Sequence, residues 1–198
     1  MKLSEFEMDG IREVMMIGAG HASTALAKAL KREIDIKIPS VELCPLEDVP
    51  KKIGRPEDLS MGVYTEVSGD LKGRLLTLFS KDDAMRLEGM VSGEKIKKLT
   101  DVSQSTVTNV ADILASSNLG AISDFFGMKI SQSPSEIAYD MLGALLEQVL
   151  IELSQYSDTV LLSKTDIFVS HERFNCLQIL FLDASSLEKL LKAMEIKL

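Results

Sequence analysis

The sequence has no tryptophan, only 5% aromatic residues, and two cysteines and two histidines in 198 residues. A core poor in aromatic side chains must be built from Leu, Ile, Val, Ala and the ten methionines, which pack adaptably. Cys44 and Cys176 stand far apart without partner spacing, which supports neither a disulfide framework nor a metal site. We expect both cysteines to be buried as small apolar residues.

The chain also lacks a basic stripe and a long apolar run. Its formal net charge is −8, which disfavours nucleic acid as a partner. The densest basic segment, "EKIKKL" at 94–99, is typical of the solvated face of a short helix. No run approaches the roughly 18 apolar residues that span a bilayer, and the start "MKLSEFEMDG" lacks the apolar core of a signal peptide. We therefore expect a cytoplasmic protein without membrane insertion.

Local patterns predict helices and strands along the whole chain. Ser4 and Glu7 have capping-box spacing and predict the start of a helix. "EIDIKI" alternates as a strand does, and Pro39, Pro45 and Pro50 predict an interruption of the segment after it. The patterns further predict a β-hairpin at 62–79, a helix at 81–91, a helix at 103–126 ended by Gly127, short strands at 128–133, 159–163 and 175–182, and a closing helix capped by Ser185 with Glu188.

One further helix is expected from Ser133, Pro134 and Glu136, which resemble an N-cap, a first-turn proline and its acidic partner. This helix would run to about Leu153. Its apolar residues exceed a single face, so a second surface must cover it. That surface is either the chain's own sheet, a second copy of the chain, or another protein. The apolar residues are Ile137, Met141, Leu142, Leu145, Leu146, Val149 and Leu150.

The order of elements repeats. Residues 13–34 align with residues 109–130 without a gap, and Val14, Ile17 and Ala25 match Val110, Ile113 and Ala121. We therefore predict a single domain over residues 1–198 with internal repeats at about 1–92 and 101–198. The expected fold class is α/β of the α+β type, with pseudo-twofold symmetry, a mostly antiparallel sheet and two long related helices. The chain could be a monomer or a homodimer.

The segment "MMIGAGHASTALAKAL" allows a second interpretation, because its glycines are similar to those of a dinucleotide-binding turn. The repeat argues against this, since Leu114 faces Gly18 and Ser116 faces Gly20. Ser23 also stands where the third glycine belongs. A dinucleotide-binding protein remains a remote alternative. The favoured interpretation makes Gly18, Ala19, Gly20 and Ala22 small helical residues that let another backbone approach closely.

With these residues placed on a helix, Asp9, Glu13 and Met16 fall on one stripe at i, i+4 and i+7. The repeat places Ser105, Asn109 and Asp112 on the equivalent stripe of the second helix. This pattern resembles the CheC family of chemotaxis proteins, related to CheX and FliY. The signature of that family is Asp or Ser, three residues, Glu, two residues and Asn, in two copies. The segments "IPSVELCPLEDV", "VSGDLKG" and "ADILASSNLGAISDFFGMKI" are also similar to their CheC counterparts.

The resemblance implies that the chain binds a phosphorylated CheY-type receiver domain, whose aspartyl phosphate CheC proteins hydrolyse. In the family, the Glu engages a lysine of the receiver and the Asn orients the attacking water. Any Mg²⁺ would be carried by the receiver, so we expect no cofactor or metal in this chain. The catalytic candidates are Asp9 and Glu13 in the first motif, and Ser105, Asn109 and Asp112 in the second, degenerate one.

This sequence departs from the family pattern at both Asn positions. Met16 replaces the first Asn, and a thioether is a weak acceptor with no donor. Asn109 stands in the Glu position of the second copy and Asp112 in its Asn position. We therefore expect weak or lost phosphatase activity, with an active CheY-P phosphatase as the alternative.

The resemblance also implies a second partner, the receptor deamidase CheD. The partner-binding candidates are Met16, Gly20, Met141, Leu145 and Gln148, the last three on the apolar helix predicted at 133–153. His21 is a packing or partner-contact candidate, and His171 has no assigned role.

Overall fold

The computed structural model describes residues 4–153, 158–170 and 172–197, which form six α-helices and seven strands. The helices are α1 Glu5–Leu30, α2 Val49–Ile53, α3 Lys81–Ser92, α4 Asp101–Phe126, α5 Leu142–Leu153 and α6 Ala184–Lys197, and a 3-10 turn spans Leu46–Asp48. The strands are β1 Ile34–Pro45, β2 Leu59–Gly69, β3 Gly73–Ser80, β4 Ile130–Gln132, β5 Glu136–Met141, β6 Thr159–Val169 and β7 Glu172–Leu182.

All strand pairs are antiparallel, and the sheet order is β1-β6-β7-β3-β2-β4, with β5 pairing the other half of β2. This order has pseudo-twofold symmetry about the β3–β7 pair. The symmetry exchanges β2 with β6, and it exchanges β1 with β4 and β5 together. The fold class predicted from sequence, a duplicated α+β domain with a mostly antiparallel sheet, is confirmed.

The two long helices are the strongest evidence of duplication. Each has 26 residues, and Glu5 corresponds to Asp101 as Leu30 does to Phe126, a constant separation of 96 residues. Both begin with a capping box, formed by Ser4 with Glu7 in α1 and by Thr100 with Ser103 in α4. The same local chemistry therefore starts both helices at equivalent positions.

The helices cover both faces of the sheet. Helices α1, α3, α4 and α6 pack on one face through a core that includes Met15, Leu26, Leu75 and Ile122. On the other face, α2 and α5 pack on side chains that alternate with those of the first face, such as Leu76 and Ile179. Because α1 and α4 lie in one layer and share their buried sides, each turns its opposite side to solvent.

The structure corrects the helix predicted at 133–153. Residues Glu136–Met141 form β5, which pairs with Leu59 to Tyr64 of β2, and only Leu142–Leu153 are helical. The Ser-Pro-x-Glu signal was misleading because the hydrogen bonds of β2 compete with local helix formation. Ser133 instead accepts a hydrogen bond from the backbone N–H of Glu66 at 3.1 Å.

Three smaller predictions were also wrong. Residues 94–99 are not helical, although most of them are exposed as expected. Pro39 does not end its strand, because β1 continues to Pro45 across a register shift between Lys37 and Ser40. The closing helix is capped by Asp183, whose carboxylate accepts from the N–H of Ser186 at 2.6 Å, rather than by Ser185.

The glycine-rich segment lies inside α1, so there is no strand followed by a glycine turn at this place. A Cβ atom on Gly18 would come within 2.9 Å of the Asn118 Cα on α4, which confirms the predicted close approach of another backbone. At Gly20 the prediction was wrong, since a Cβ there would meet nothing within 4 Å. Ala19 and Ala22 are buried, as expected for this interface.

Candidate functional site

The first stripe lies on the solvent side of α1. Asp9 and Glu13 are exposed, and the side chain of Met16 is 65% exposed. Asp9 accepts a hydrogen bond from Arg12 at 2.9 Å, an exposed ion pair of little energetic weight. The structure therefore brings the three predicted residues onto one accessible face, with a carboxylate one helical turn from a thioether.

The second stripe, on α4, differs in how its residues are held. Ser105 and Asn109 are exposed, and the Ser105 hydroxyl donates to the carbonyl of Val102 at 3.0 Å. Asp112 is only half-buried, and its carboxylate accepts a hydrogen bond of 2.5 Å from the hydroxyl of Ser135. One oxygen of Asp112 is thus engaged by the segment between β4 and β5.

This hydrogen bond continues into the sheet. The Ser135 hydroxyl lies 2.7 Å from the Thr65 hydroxyl, and Thr65 of β2 is buried. Buried hydroxyl groups are costly to leave unpaired, so the chain Asp112–Ser135–Thr65 fixes the carboxylate against the sheet edge. We call these three residues the α4 tie.

Sequence reasoning missed Ser135 and Thr65 in the site because they are 23 and 47 residues from Asp112 in the chain. It also missed two exposed apolar residues beside the first stripe, Phe6 and Ile17. Helical spacing could have found these two, since Phe6 precedes Asp9 by three positions and Ile17 follows Glu13 by four.

The remaining partner-binding candidates have different positions. Gly20 is exposed on α1, next to exposed His21. Met141 is 49% exposed but lies in β5, whereas Leu145 is 3% exposed and packs against the sheet, which contradicts its prediction as a docking residue. The side chain of Gln148 and all of His171 lie outside the described residues.

Both cysteines are buried, as predicted. Burial raises the pKa of Cys176 to about 12, so its thiol stays protonated at neutral pH and is no nucleophile. Among the residues that the structure describes, no cluster of His, Cys, Asp and Glu side chains could hold a metal ion. No helix within these residues has the length and apolar character that crossing a membrane requires.

Comparison with known proteins shows similarity to one family of chemotaxis proteins. Residues 6–43, which contain the first stripe, match the CheC-like family. The chain is 29% identical to the CheY-P phosphatase CheC of Bacillus subtilis, covering 97% of this chain and 95% of that protein.

Solved structures share the fold. The crystal structure of Thermotoga maritima FliY matches with a TM-score of 0.79 and 19% identity over 100% of both chains. A chain of the crystal structure of the CheX–CheY–BeF3–Mg²⁺ complex from Borrelia burgdorferi matches with a TM-score of 0.55 and 12% identity, over 86% of this chain and 96% of that one. The stripe on α1, the duplicated fold and the 29% identity along nearly the whole chain agree in one respect: the chain is similar to the CheC-like family of chemotaxis proteins.

Proposed function

We propose that this protein binds a phosphorylated CheY-type receiver through the exposed stripe of α1 and hydrolyses its aspartyl phosphate weakly or not at all. The observation that carries the proposal is the exposure of Met16 beside Glu13. A carboxylate is available there to engage a lysine of the receiver. The residue that would orient water is a thioether.

The chemistry explains why this replacement matters. In an aspartyl phosphate, the receiver and its Mg²⁺ already stabilise most of the transition-state charge, so the helper protein must mainly position water in line. An amide can accept from and donate to that water, whereas a thioether is a weak acceptor alone. Met16 therefore leaves the docking contact in place and removes the positioning contact. Any Mg²⁺ belongs to the receiver, and this chain supplies no cofactor.

The α4 stripe does not replace the missing amide. Asp112 occupies the equivalent position, and it would face the anionic phosphoryl oxygens with like charge. Its Oδ1 is also engaged by Ser135. Asn109 has an amide, but one helical turn away from that position.

Timing the decay of phosphorylated receiver with wild type and Met16→Asn tests the proposal. We expect wild type to change the phosphate lifetime by less than about twofold. Met16→Asn should shorten it by about tenfold or more, because orientation of a reactant can lower a barrier by several kcal/mol. Met16→Leu is the matched control, because it keeps the apolar contact without an amide.

Two outcomes contradict this proposal. Acceleration by catalytic amounts of wild type, lost on Glu13→Ala, favours the alternative of an active CheY-P phosphatase. Absence of any effect of Met16→Asn, although the variant binds the receiver, shows that the stripe has been misassigned.

We further propose an adaptor role with CheD, by analogy with the family. Two exposed apolar residues, Met141 at the end of β5 and Ile151 on α5, are the candidate contacts for CheD. Both residues stand apart from the buried face of α5, so a partner could cover them without unfolding the helix. The test is a double variant that carries both Met141→Asp and Ile151→Asp. Weaker binding of CheD by this variant, with unchanged binding of the receiver, would support the adaptor role. Unchanged binding of CheD would contradict it.

A further inference from the structure

We propose that the two related stripes have diverged, so that the chain binds one receiver, on α1, while α4 is closed to a receiver by Asp112, whose carboxylate is both charged and held in the α4 tie. This inference rests on the proposed function and adds the number of binding sites and the reason why α4 is not one of them. It follows from three differences between positions that lie 96 residues apart.

The first difference is apolar surface. On α1, Phe6 is 60% exposed, and Ile17, at 39%, adjoins Met16. The equivalents of Met16 and Ile17 on α4 are Asp112 and Ile113. Both are half-buried and therefore less exposed than their counterparts on α1. Protein interfaces gain most of their energy from a few apolar anchors surrounded by polar groups. Val102, the α4 equivalent of Phe6, is also exposed, at 51%, so the difference lies at the Met16 and Ile17 positions, which adjoin the exposed carboxylate of Glu13 on α1.

The second difference is the tie itself. Ser135, which donates to Asp112, is equivalent to Pro39 in the first repeat, and proline has no hydroxyl to donate. The register shift of β1 at Pro39 therefore supplies no hydroxyl that could hold the side chain at position 16. Turning the Asp112 carboxylate toward a partner would break its bond to Ser135, a hydroxyl that also bonds buried Thr65. Binding of a receiver on α4 would therefore break hydrogen bonds, whereas binding on α1 would break none of this kind.

The third difference is charge. The phosphoryl group of the receiver is an anion, and the position of the motif that approaches it carries Asp112 on α4 but neutral Met16 on α1. Two like charges a few ångströms apart at an interface repel each other by an amount that is reduced by water but not abolished. The carboxylate of Glu13 lies one turn earlier, at the position that faces a lysine of the receiver in the family. The α1 stripe therefore presents a negative charge to the lysine and a neutral side chain to the phosphoryl group.

The test is calorimetric titration of the purified 198-residue chain with the CheY-type receiver of the same organism, activated by BeF3 and Mg²⁺. We expect one receiver per chain. Glu13→Ala and Met16→Asp on α1 should each weaken binding by about tenfold or more. The matched α4 variant Asn109→Ala should change binding by less than about twofold. All three positions are exposed, so the variants should fold, and thermal unfolding checks this.

The outcomes separate this inference from the function on which it rests. Two receivers per chain would overturn the closure of α4 and leave receiver binding on α1 intact. Weaker binding by Asn109→Ala with unchanged binding by Glu13→Ala would move the binding site from α1 to α4 and leave receiver binding itself intact. Absence of binding by wild type overturns the proposed function, and this inference with it. Met16→Asp tests charge directly, since it gives α1 the residue that α4 carries; unchanged binding by this variant would remove the charge argument and with it the closure of α4.

Discussion

Gly18→Val is expected to lower the free energy of unfolding by about 3 kcal/mol, at the upper end of the usual cost of overpacking. A Cβ on Gly18 would lie 2.4 Å from the Asn118 Oδ1, 2.9 Å from the Asn118 Cα and 3.2 Å from the Ser117 carbonyl oxygen. Two of these three atoms belong to the backbone of α4, which cannot rotate away. The helices would have to separate, and the layer above the sheet would lose contacts.

The side chain of Asn118 has little freedom to yield. Its Nδ2 donates to the Gln178 Oε1 at 2.7 Å, and the Gln178 amide in turn reaches the Thr77 hydroxyl at 3.4 Å. All three side chains are buried. Moving Asn118 would therefore leave polar groups unpaired in the core, which adds to the cost of the steric conflict.

Gly20→Val on the same helix is the matched control for Gly18→Val. A Cβ at Gly20 meets no atom within 4 Å, so this variant should be neutral or gain a few tenths of a kcal/mol from the better helix propensity of valine. Chemical denaturation of both variants and wild type measures the difference. Equal stabilities of the two variants would show that α1 and α4 do not approach each other at Gly18.

The duplicated fold could be predicted because its signals are local and occur twice. Ser4 and Thr100 cap helices at equivalent positions, and Gly127 ends α4 in the left-handed conformation that favours glycine. The same offset of 96 residues relates β1 to β4 and β5, since Ile34 corresponds to Ile130 and Pro45 to Met141. Residues 136–141 are equivalent to residues 40–45, which were expected outside a helix. Applying the repeat there would have corrected the helix predicted at 136–141.

The site was only partly predictable. Helical spacing sufficed to place Asp9, Glu13 and Met16 on one exposed face, because the helical periodicity is constant along an unbroken helix. The α4 tie could not be found this way, since it is the pairing of β5 with β2, a contact distant in sequence, that places Ser135 beside Asp112. Periodicity also shows which residues share a face but not what covers it, which is why Leu145 was placed at a docking surface.

Leu145→Ala is expected to lower the free energy of unfolding by about 2–5 kcal/mol, the usual cost of truncating a buried leucine. Leu145 is 3% exposed and belongs to the core between α5 and the sheet, with Leu76, Val149 and Ile179. Its Cδ1 would lie 3.4 Å from a Cβ on Gly62, so the strand and the helix are already in close contact. Since the backbone there is also held by the Tyr64 hydroxyl, which donates to the Leu145 carbonyl at 3.0 Å, we expect the cavity to collapse only in part.

Met141→Ala is the control for Leu145→Ala, because Met141 is half exposed and adjoins the same helix; its truncation should change stability by less than about 0.5 kcal/mol. Urea denaturation of the two variants compares the positions directly. If Leu145→Ala is as stable as wild type, α5 does not cover the sheet and its apolar face is open to a partner after all. If it is destabilised as expected, weaker binding of a partner by Leu145→Ala reflects damage to the core. Only surface residues such as Met141 can then report on docking at this side of the molecule.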